Sequence, residues 1–148
     1  MTALIAALLA IGGPVCKTAA SELETEREAF DLHLRGAGLD VQDAQALAEG
    51  LQDLSASGRV LLRSFSASYN PDLGDAGAIV LAQALPVTVT EVGLVGCAIG
   101  DAGAAALLDW AQRAPDLRMI CVEGNRLSVQ MKATFTALGR QRALMVVV

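Results

Sequence analysis

A short pattern of apolar residues recurs four times along this chain, and such a repeat constrains the possible folds more than any single motif. The pattern is an apolar residue, any residue, an apolar residue, two further positions, Asn or Cys, any residue, and a closing apolar residue. Its clearest copies occupy residues 92–99 and 120–127, which lie 28 residues apart. A third copy begins at Phe65, with one inserted residue before Leu73, and a fourth begins at Leu32. The spacing predicts an array of similar units that share one continuous core.

The segment that follows each pattern also repeats, and its composition favours a helix. Residues 74–78 and residues 100–104 share the sequence Gly-Asp-Ala-Gly-Ala. Ala is the best helix former, and Gly and Asp suit a turn that leads into a helix N-terminus. We predict helices at residues 41–51, 75–85, 101–111 and 129–138. Each unit is therefore expected to consist of a strand, a turn and a helix.

The alternation within each strand predicts which side chains enter the core. Successive side chains of a strand point to opposite faces, so the apolar positions should face inward against the helices. Asn70 and Asn125 fall where the chain leaves a strand, and their amides can bond backbone groups of neighbouring turns that would otherwise be unpaired. Cys97 can do this only weakly and Ala37 cannot, so we expect the first unit to be the loosest.

These features resemble leucine-rich repeats of the ribonuclease-inhibitor-like subclass, in which each unit carries a full helix. The resemblance covers residues 29–138 and is most specific in the two units that carry Gly-Asp-Ala-Gly-Ala. It implies an α/β fold: a short solenoid of about four repeats plus a C-terminal strand, with parallel strands on the concave face and helices on the convex face. A single domain, 1–148, would comprise an N-terminal cap helix and acidic connector (1–28), four repeats (29–138) and a C-terminal capping strand (139–148).

The N-terminus is apolar, and we interpret it as a helix that caps one end of the core. The run at residues 3–11 is too short to cross a bilayer as a helix, and no Lys or Arg precedes it as in a secretory signal. The acidic residues after it are expected in a solvated connector or a helix; they are Glu22, Glu24, Glu26 and Glu28. Three widely spaced cysteines fit no disulfide framework, which favours an intracellular address, in the cytoplasm or an organelle, over secretion.

The charge balance disfavours two classes of partner. The formal net charge is −5, and the 11 basic residues form no cluster. A nucleic-acid surface needs clustered positive charge, and so does attraction to an anionic membrane. We therefore expect protein partners, with no nucleic acid and no membrane.

Catalytic, cofactor and metal sites find no support in the sequence. Because His33 is the one histidine, any Ser-His-Asp or Cys-His arrangement would have to use it. It is expected at an outward position of the first strand. Lys17-Thr18 lacks the glycines of a phosphate-binding loop, and Cys16, Cys97 and Cys121 do not have the spacing of a zinc site. We predict no catalytic, cofactor-binding or metal-binding residue and no enzymatic activity.

The outward positions of the strands are the predicted binding surface. Small residues fill the centre of this surface, where a partner backbone could approach closely, and charged residues flank it. In the resembling family the strands line the concave face, so we predict protein binding there. The predicted residues form three rows: Asp31, Ser64, Glu91 and Met119; His33, Ser66, Gly93 and Cys121; Arg35, Ser68, Val95 and Glu123.

The C-terminal residues 144–148 are apolar and would form an edge strand. Such an edge pairs with other chains unless it is protected, so assembly or self-association through it is one interpretation, and packing against the fourth unit is the other. Our leading hypothesis is a non-enzymatic interaction module, a small subunit or adaptor of a larger assembly. A separate, structural hypothesis is a subunit that stabilises a large complex, such as one in an organelle. The alternative is an inhibitor or regulator that binds an enzyme or GTPase through the concave face. Stimulation of a GTPase would need a rim arginine such as Arg35 or Arg126.

Overall fold

The computed structural model describes residues 1–25 and 28–148, which form helices and a single sheet. The two helices α1 (Thr2–Ile11) and α2 (Gly13–Thr25) come first. Strands and helices then alternate in the order β1 (Ala29–His33), α3 (Val41–Ser57), β2 (Leu61–Ser66), α4 (Gly74–Ala84), β3 (Glu91–Gly93), α5 (Asp101–Arg113), β4 (Met119–Cys121), α6 (Val129–Arg142) and β5 (Met145–Val147).

The five strands form one parallel sheet in sequence order, from β1 to β5. A helix connects each pair of neighbouring strands, and α3, α4, α5 and α6 contact one another in succession. The first residue of the apolar pattern defines the register, because these residues pair across the whole sheet, and Val146 of β5 continues the row: Leu32, Phe65, Val92, Ile120 and Val146. The predicted α/β class, with a parallel sheet, is confirmed.

The core lies between the sheet and the helices and is built mostly from aliphatic side chains. The inward strand residues are buried, and so are the helix residues that face them, such as Leu47, Leu81 and Leu107. Trp110 is fully buried, and its indole N–H donates to the carbonyl oxygen of Leu85 at 3.0 Å. The indole is therefore both packed and hydrogen-bonded, as a buried tryptophan requires.

The N-terminus contains two helices: α1 lies where the sequence predicts a cap helix, and α2 extends into the acidic stretch, for which the sequence predicts a connector or a helix. They meet at Gly12 and Gly13, whose φ angles of 77° and 75° lie in the region that only glycine adopts easily. Helix α1 packs against α3, and α2 buries Cys16, Ala19, Ala20 and Leu23 and contacts β1. Glu22 and Glu24 are exposed on α2, Glu28 is exposed just before β1, and Glu26 lies outside the described residues. Within residues 1–25 and 28–148, no helix has the length and apolar character that crossing a membrane requires.

Aspartates near the starts of the helices hydrogen-bond to the next unit rather than only to their own helix. Asp75, in the first turn of α4, accepts hydrogen bonds from the N–H groups of Gly100 and Gly103 at 2.8 Å each, at the start of α5. Asp101, the first residue of α5, accepts the N–H of Ser128 at 2.8 Å, just before α6. The repeated Gly-Asp sequence therefore links successive helices, because a carboxylate stabilises the unpaired N–H groups of a neighbouring N-terminus.

The contact between Asp101 and Ser128 predicts a loss of stability in acid. Hydrogen bonds from the side chain and then the N–H of Ser128 lower the pKa of Asp101 below 3.8, its ordinary value. A lowered folded pKa stabilises the fold at pH values above the unfolded pKa, and this stabilisation disappears as the pH falls through the folded value. We expect Asp101→Asn to narrow the difference in urea midpoint between pH 7 and pH 3, whereas Asp116→Asn, an exposed control, leaves that difference unchanged. If the urea midpoints of Asp101→Asn at pH 7 and pH 3 differ as much as those of the wild type, the Asp101–Ser128 contact does not stabilise the fold.

Candidate functional site

The predicted binding residues lie side by side on one face of the sheet, which we call the outer face. Asp31, Ser64, Glu91 and Met119 pair in register across β1 to β4, and Met145 continues this row on β5. His33, Ser66, Gly93 and Cys121 form the second row, which Val147 continues. The outer face opposes the buried apolar positions because side chains alternate along each strand.

The third row follows directly after the strands, and backbone bonds keep it aligned. The N–H groups of Gly36, Tyr69 and Gly96 donate to the carbonyl oxygens of Ser68, Val95 and Glu123, respectively. Arg35, Ser68, Val95 and Glu123 therefore lie next to one another, and the structure brings all three predicted rows together.

Ser64 and Ser68 differ from the prediction because they are buried, with 9% and 6% of their surface exposed. The Ser64 hydroxyl lies 2.7 Å from Nε2 of His33, whose larger ring belongs to the neighbouring strand. The Ser68 hydroxyl accepts the N–H of Val95 at 3.1 Å and lies 3.4 Å from the Ser66 hydroxyl. Both side chains are short and lie among larger neighbours, so outward direction did not give them access to solvent.

Asp31 is paired with a residue that the sequence analysis did not place near it. A register shift between Phe30 and Asp31 brings Arg63 beside Asp31, and its guanidinium donates to both carboxylate oxygens at 2.9 and 2.6 Å. Chiefly through this hydrogen bonding, Arg63 lowers the pKa of Asp31. Asp31 is therefore held as a charged, bidentate partner of Arg63.

The close Ser64–His33 pair raises the question of a nucleophilic site. In a catalytic triad an acidic residue holds the second ring nitrogen of the histidine, and free N–H donors stabilise the oxyanion. Here the nearby Asp31 is bound by Arg63, and Ser64 belongs to a central strand that pairs on both sides, with Asp31 and with Glu91. This geometry supports a structural hydrogen bond rather than an activated serine.

The cysteines and acidic residues add little that could hold a metal. In residues 1–25 and 28–148, no group of three His, Cys, Asp or Glu side chains could hold a metal ion. Cys16 and Cys97 are buried, and burial is the main cause that raises the pKa of each thiol. Cys121 is partly exposed, and its thiol pKa is raised by burial and then by the carboxylates of Glu123 and Glu91. All three thiols are therefore held in the protonated, weakly reactive form.

Tyr69 is a surface feature that the repeat analysis missed. It occupies the position at which the other three units have a glycine, namely Gly36, Gly96 and Gly124, and it adopts the same positive φ, of 60°. Its ring is 48% exposed, contacts Gly96, and lies 4.2 Å below the guanidinium carbon of Arg35. The sequence did offer one signal, namely a tyrosine at a position where the other three units have glycine. The structure shows why this matters, since a positive φ is unfavourable for a bulky side chain.

Charge is distributed unevenly over the outer face. His33 and Arg35 lie at its β1 end, and Glu91 and Glu123 lie on β3 and after β4. Within the described ranges, neither glutamate forms a salt bridge. Next to His33, a cleft of about 390 Å³ is lined by α2 residues that include Val15, Thr18 and Glu22, so α2 borders the outer face at that end.

The C-terminal strand is partly packed and partly exposed. Leu144 is buried, and Val146 packs so closely on Gly139 of α6 that a Cβ there would lie 2.9 Å from its Cγ2. Met145 is 61% exposed on the outer face. In the part of the chain that the structure describes, β5 pairs with β4 along one edge and with no strand along the other. The packing of Val146 on α6 agrees with the interpretation that the strand packs against the fourth unit, and the exposed edge with Met145 agrees with the interpretation that it pairs with another chain.

We compared the chain with protein-family models and with curated proteins, and it matches no family and no relative.

Proposed function

We propose that this chain is a non-enzymatic protein-binding module of the leucine-rich-repeat type, ribonuclease-inhibitor-like, which acts as an adaptor or small subunit of a larger assembly. The observation that carries the proposal is the outer face itself: three aligned rows of side chains that extend across neighbouring strands. Stacked repeats typically bind their partners through such an extended surface.

The asparagines support the repeat assignment within this proposal. The Asn125 side-chain oxygen accepts the N–H groups of Cys97 and Ile99 in the preceding unit, at 2.9 and 3.0 Å. Asn70 makes the corresponding bond to the N–H of Leu39 at 3.0 Å. A ladder that ties each turn to the previous one is what the repeat pattern predicts, and it favours a solenoid with a concave outer face.

Two further features favour an assembled state. One edge of β5 pairs with no strand among residues 1–25 and 28–148, so it offers backbone hydrogen-bonding groups to another chain, and Met145 places an apolar side chain beside that edge. Burying both in a complex would remove an exposed edge and an exposed apolar side chain together. We propose this edge as a second contact with the assembly.

The proposal predicts that one charged side chain at the centre of the outer face will abolish partner binding. Ser66 is partly exposed in the middle row of β2, so Ser66→Arg would place a long cation where the partner must approach closely. The matched control is Gln83→Arg, at an exposed position of α4. With tagged chains recovered from their own cells and weighed by native mass spectrometry, we expect the wild type and the control to carry a stoichiometric protein and Ser66→Arg to lack it.

Circular dichroism would establish that Ser66→Arg keeps the helical content of the wild type. A folded Ser66→Arg chain that retains the partner would overturn the proposed binding face. Recovery of only the bare chain in every variant, including the wild type, would contradict the proposed role as a subunit.

A further inference from the structure

The β3–β5 half of the outer face carries an apolar patch, which we define as Met119, Cys121, Met145 and Val147. Met119 pairs with Met145, and Cys121 pairs with Val147, so the four side chains form a compact square on adjacent strands. Met145 is 61% exposed and the other three are partly exposed. Methionine is flexible and polarizable, so it adapts to differently shaped apolar partners.

Two carboxylates border this patch. Glu91 pairs in register with Met119, and Glu123 lies two residues beyond Cys121 on the same face. Burial and then the negative charges of Glu123 and Glu91 raise the pKa of the Cys121 thiol, so both carboxylates act on a residue of the patch. Both glutamates are exposed, and neither forms an ion pair with any residue that the structure describes.

We propose that this half of the outer face binds a cationic amphipathic helix of a partner protein, with the apolar side of that helix on the patch and its Lys or Arg residues beside Glu91 and Glu123. Apolar surface bordered by unpaired negative charge is complementary to such a helix in both properties. This inference rests on the proposed function and specifies the chemistry of the partner.

Charge complementarity also favours a cationic helix over a second copy of this chain as the partner that binds the patch. A two-fold contact places the same surface on both sides of an interface, so patch against patch would bring Glu91 and Glu123 close to their own counterparts. Each copy also carries a net charge of −5, so repulsion opposes this arrangement. A cationic helix meets neither obstacle.

Methionine methyl groups offer a direct test because the chain has only four, at Met1, Met119, Met131 and Met145. The probe is a helical peptide made of two copies of the heptad Leu-Lys-Lys-Leu-Leu-Lys-Leu, added to protein labelled with ¹³C at the methionine methyls. We expect the Met119 and Met145 signals to shift and saturate, while those of Met1, on the N-terminal side, and Met131, on α6, stay in place. A peptide with Glu for every Lys, and one with the same residues in a non-amphipathic order, are expected to produce no shift.

The carboxylates are tested by Glu91→Gln together with Glu123→Gln. We expect this double variant to bind the Lys peptide about tenfold more weakly at low salt, as the loss of two surface ion pairs implies, and the difference to shrink at high salt. The matched control is Glu24→Gln together with Glu49→Gln, which changes the net charge equally at exposed positions on α2 and α3. We expect the control to change the affinity for the Lys peptide by less than twofold.

Several outcomes would overturn the inference. Shifts of all four methionines, equal weakening in the two double variants, or equal binding of the acidic peptide would show non-specific attraction instead. Shifts of Met119 and Met145 that appear with rising protein concentration and without peptide would identify a second copy as the occupant. If the cellular partner is lost in Ser66→Arg but fully retained in Glu91→Gln with Glu123→Gln, the proposed function stands and this inference fails.

Discussion

Replacing Asn70 with alanine is expected to lower the free energy of unfolding by about 3 kcal/mol, because it removes several buried hydrogen bonds between this side chain and the backbone. The Asn70 side chain is fully buried. Its oxygen accepts the N–H of Leu39, and its amide nitrogen donates to the carbonyl oxygens of Leu34 at 2.9 Å and Ala67 at 2.7 Å. Alanine can replace none of these bonds, and the site is closed to solvent.

Urea unfolding followed by the fluorescence of Trp110, the one tryptophan, would measure this loss. Asn125→Ala is the matched comparison because its amide makes the same kinds of bonds, to the carbonyl oxygens of Leu94 and Val122, but is only partly buried. Water can satisfy part of what that variant loses, so we expect a smaller effect of about 1 to 2 kcal/mol. A loss below about 1 kcal/mol for Asn70→Ala would contradict the structural role of this amide.

Replacing Gly50 with valine is expected to displace α1 from α3 and to cost about 3 kcal/mol, through overpacking and the exposure of apolar side chains of α1. A Cβ at Gly50 would lie 2.6 Å from the Cα of Leu4 and 3.0 Å from its backbone nitrogen. Because the obstacle is backbone, no side-chain rotation relieves it, and α1 has to move. Leu4 and Leu8, both fully buried, would then lose their contacts.

Hydrogen exchange of α1 and the urea midpoint would together test this expectation. We expect faster exchange throughout α1 and little change in α5, which lies on the far side of α4. Glu49→Val is the control for placing a valine in α3, since Glu49 is the exposed neighbour of Gly50. Valine has a higher helix propensity than glycine, so propensity cannot account for a loss of stability in Gly50→Val. If both substitutions lower the urea midpoint and speed hydrogen exchange in α1 equally, the close approach of α1 to Gly50 does not explain the loss of stability.

The repeat pattern was sufficient to predict the class of the fold and the register of its strands. Each unit carries the apolar pattern, so its equivalent residues Leu32, Phe65, Val92 and Ile120 pair across the sheet. The first unit is longer than the others, and the extra residues lie outside the strands. Val146 of the predicted C-terminal strand continues this row, because it pairs with Ile120. Local periodicity is enough here because each unit contacts mainly its neighbours.

The binding surface could be predicted in direction but not in exposure. Alternation determines that Ser64 and Ser68 point away from the core, yet both are covered by neighbours whose size and conformation the pattern does not encode. Met145 and Val147 extend the rows because β5 joins the sheet as the predicted C-terminal strand, although neither residue was among the predicted binding residues. Tyr69 reaches the surface beside Arg35 through a backbone conformation that glycine provides in the other units.

By itself, the sequence of this protein determined a chain of strand–helix units, their order in a parallel sheet, and the side of each strand that is buried, since all three follow from periodicity. Only the tertiary structure decided how the units are joined to one another. The absence of a side chain at Gly50 lets the backbone of α1 at Leu4 pack directly against α3. The Asp75 carboxylate accepts a hydrogen bond from the start of α5, the next helix of the array. Such contacts depend on distances between distant segments, which no local pattern of residues specifies.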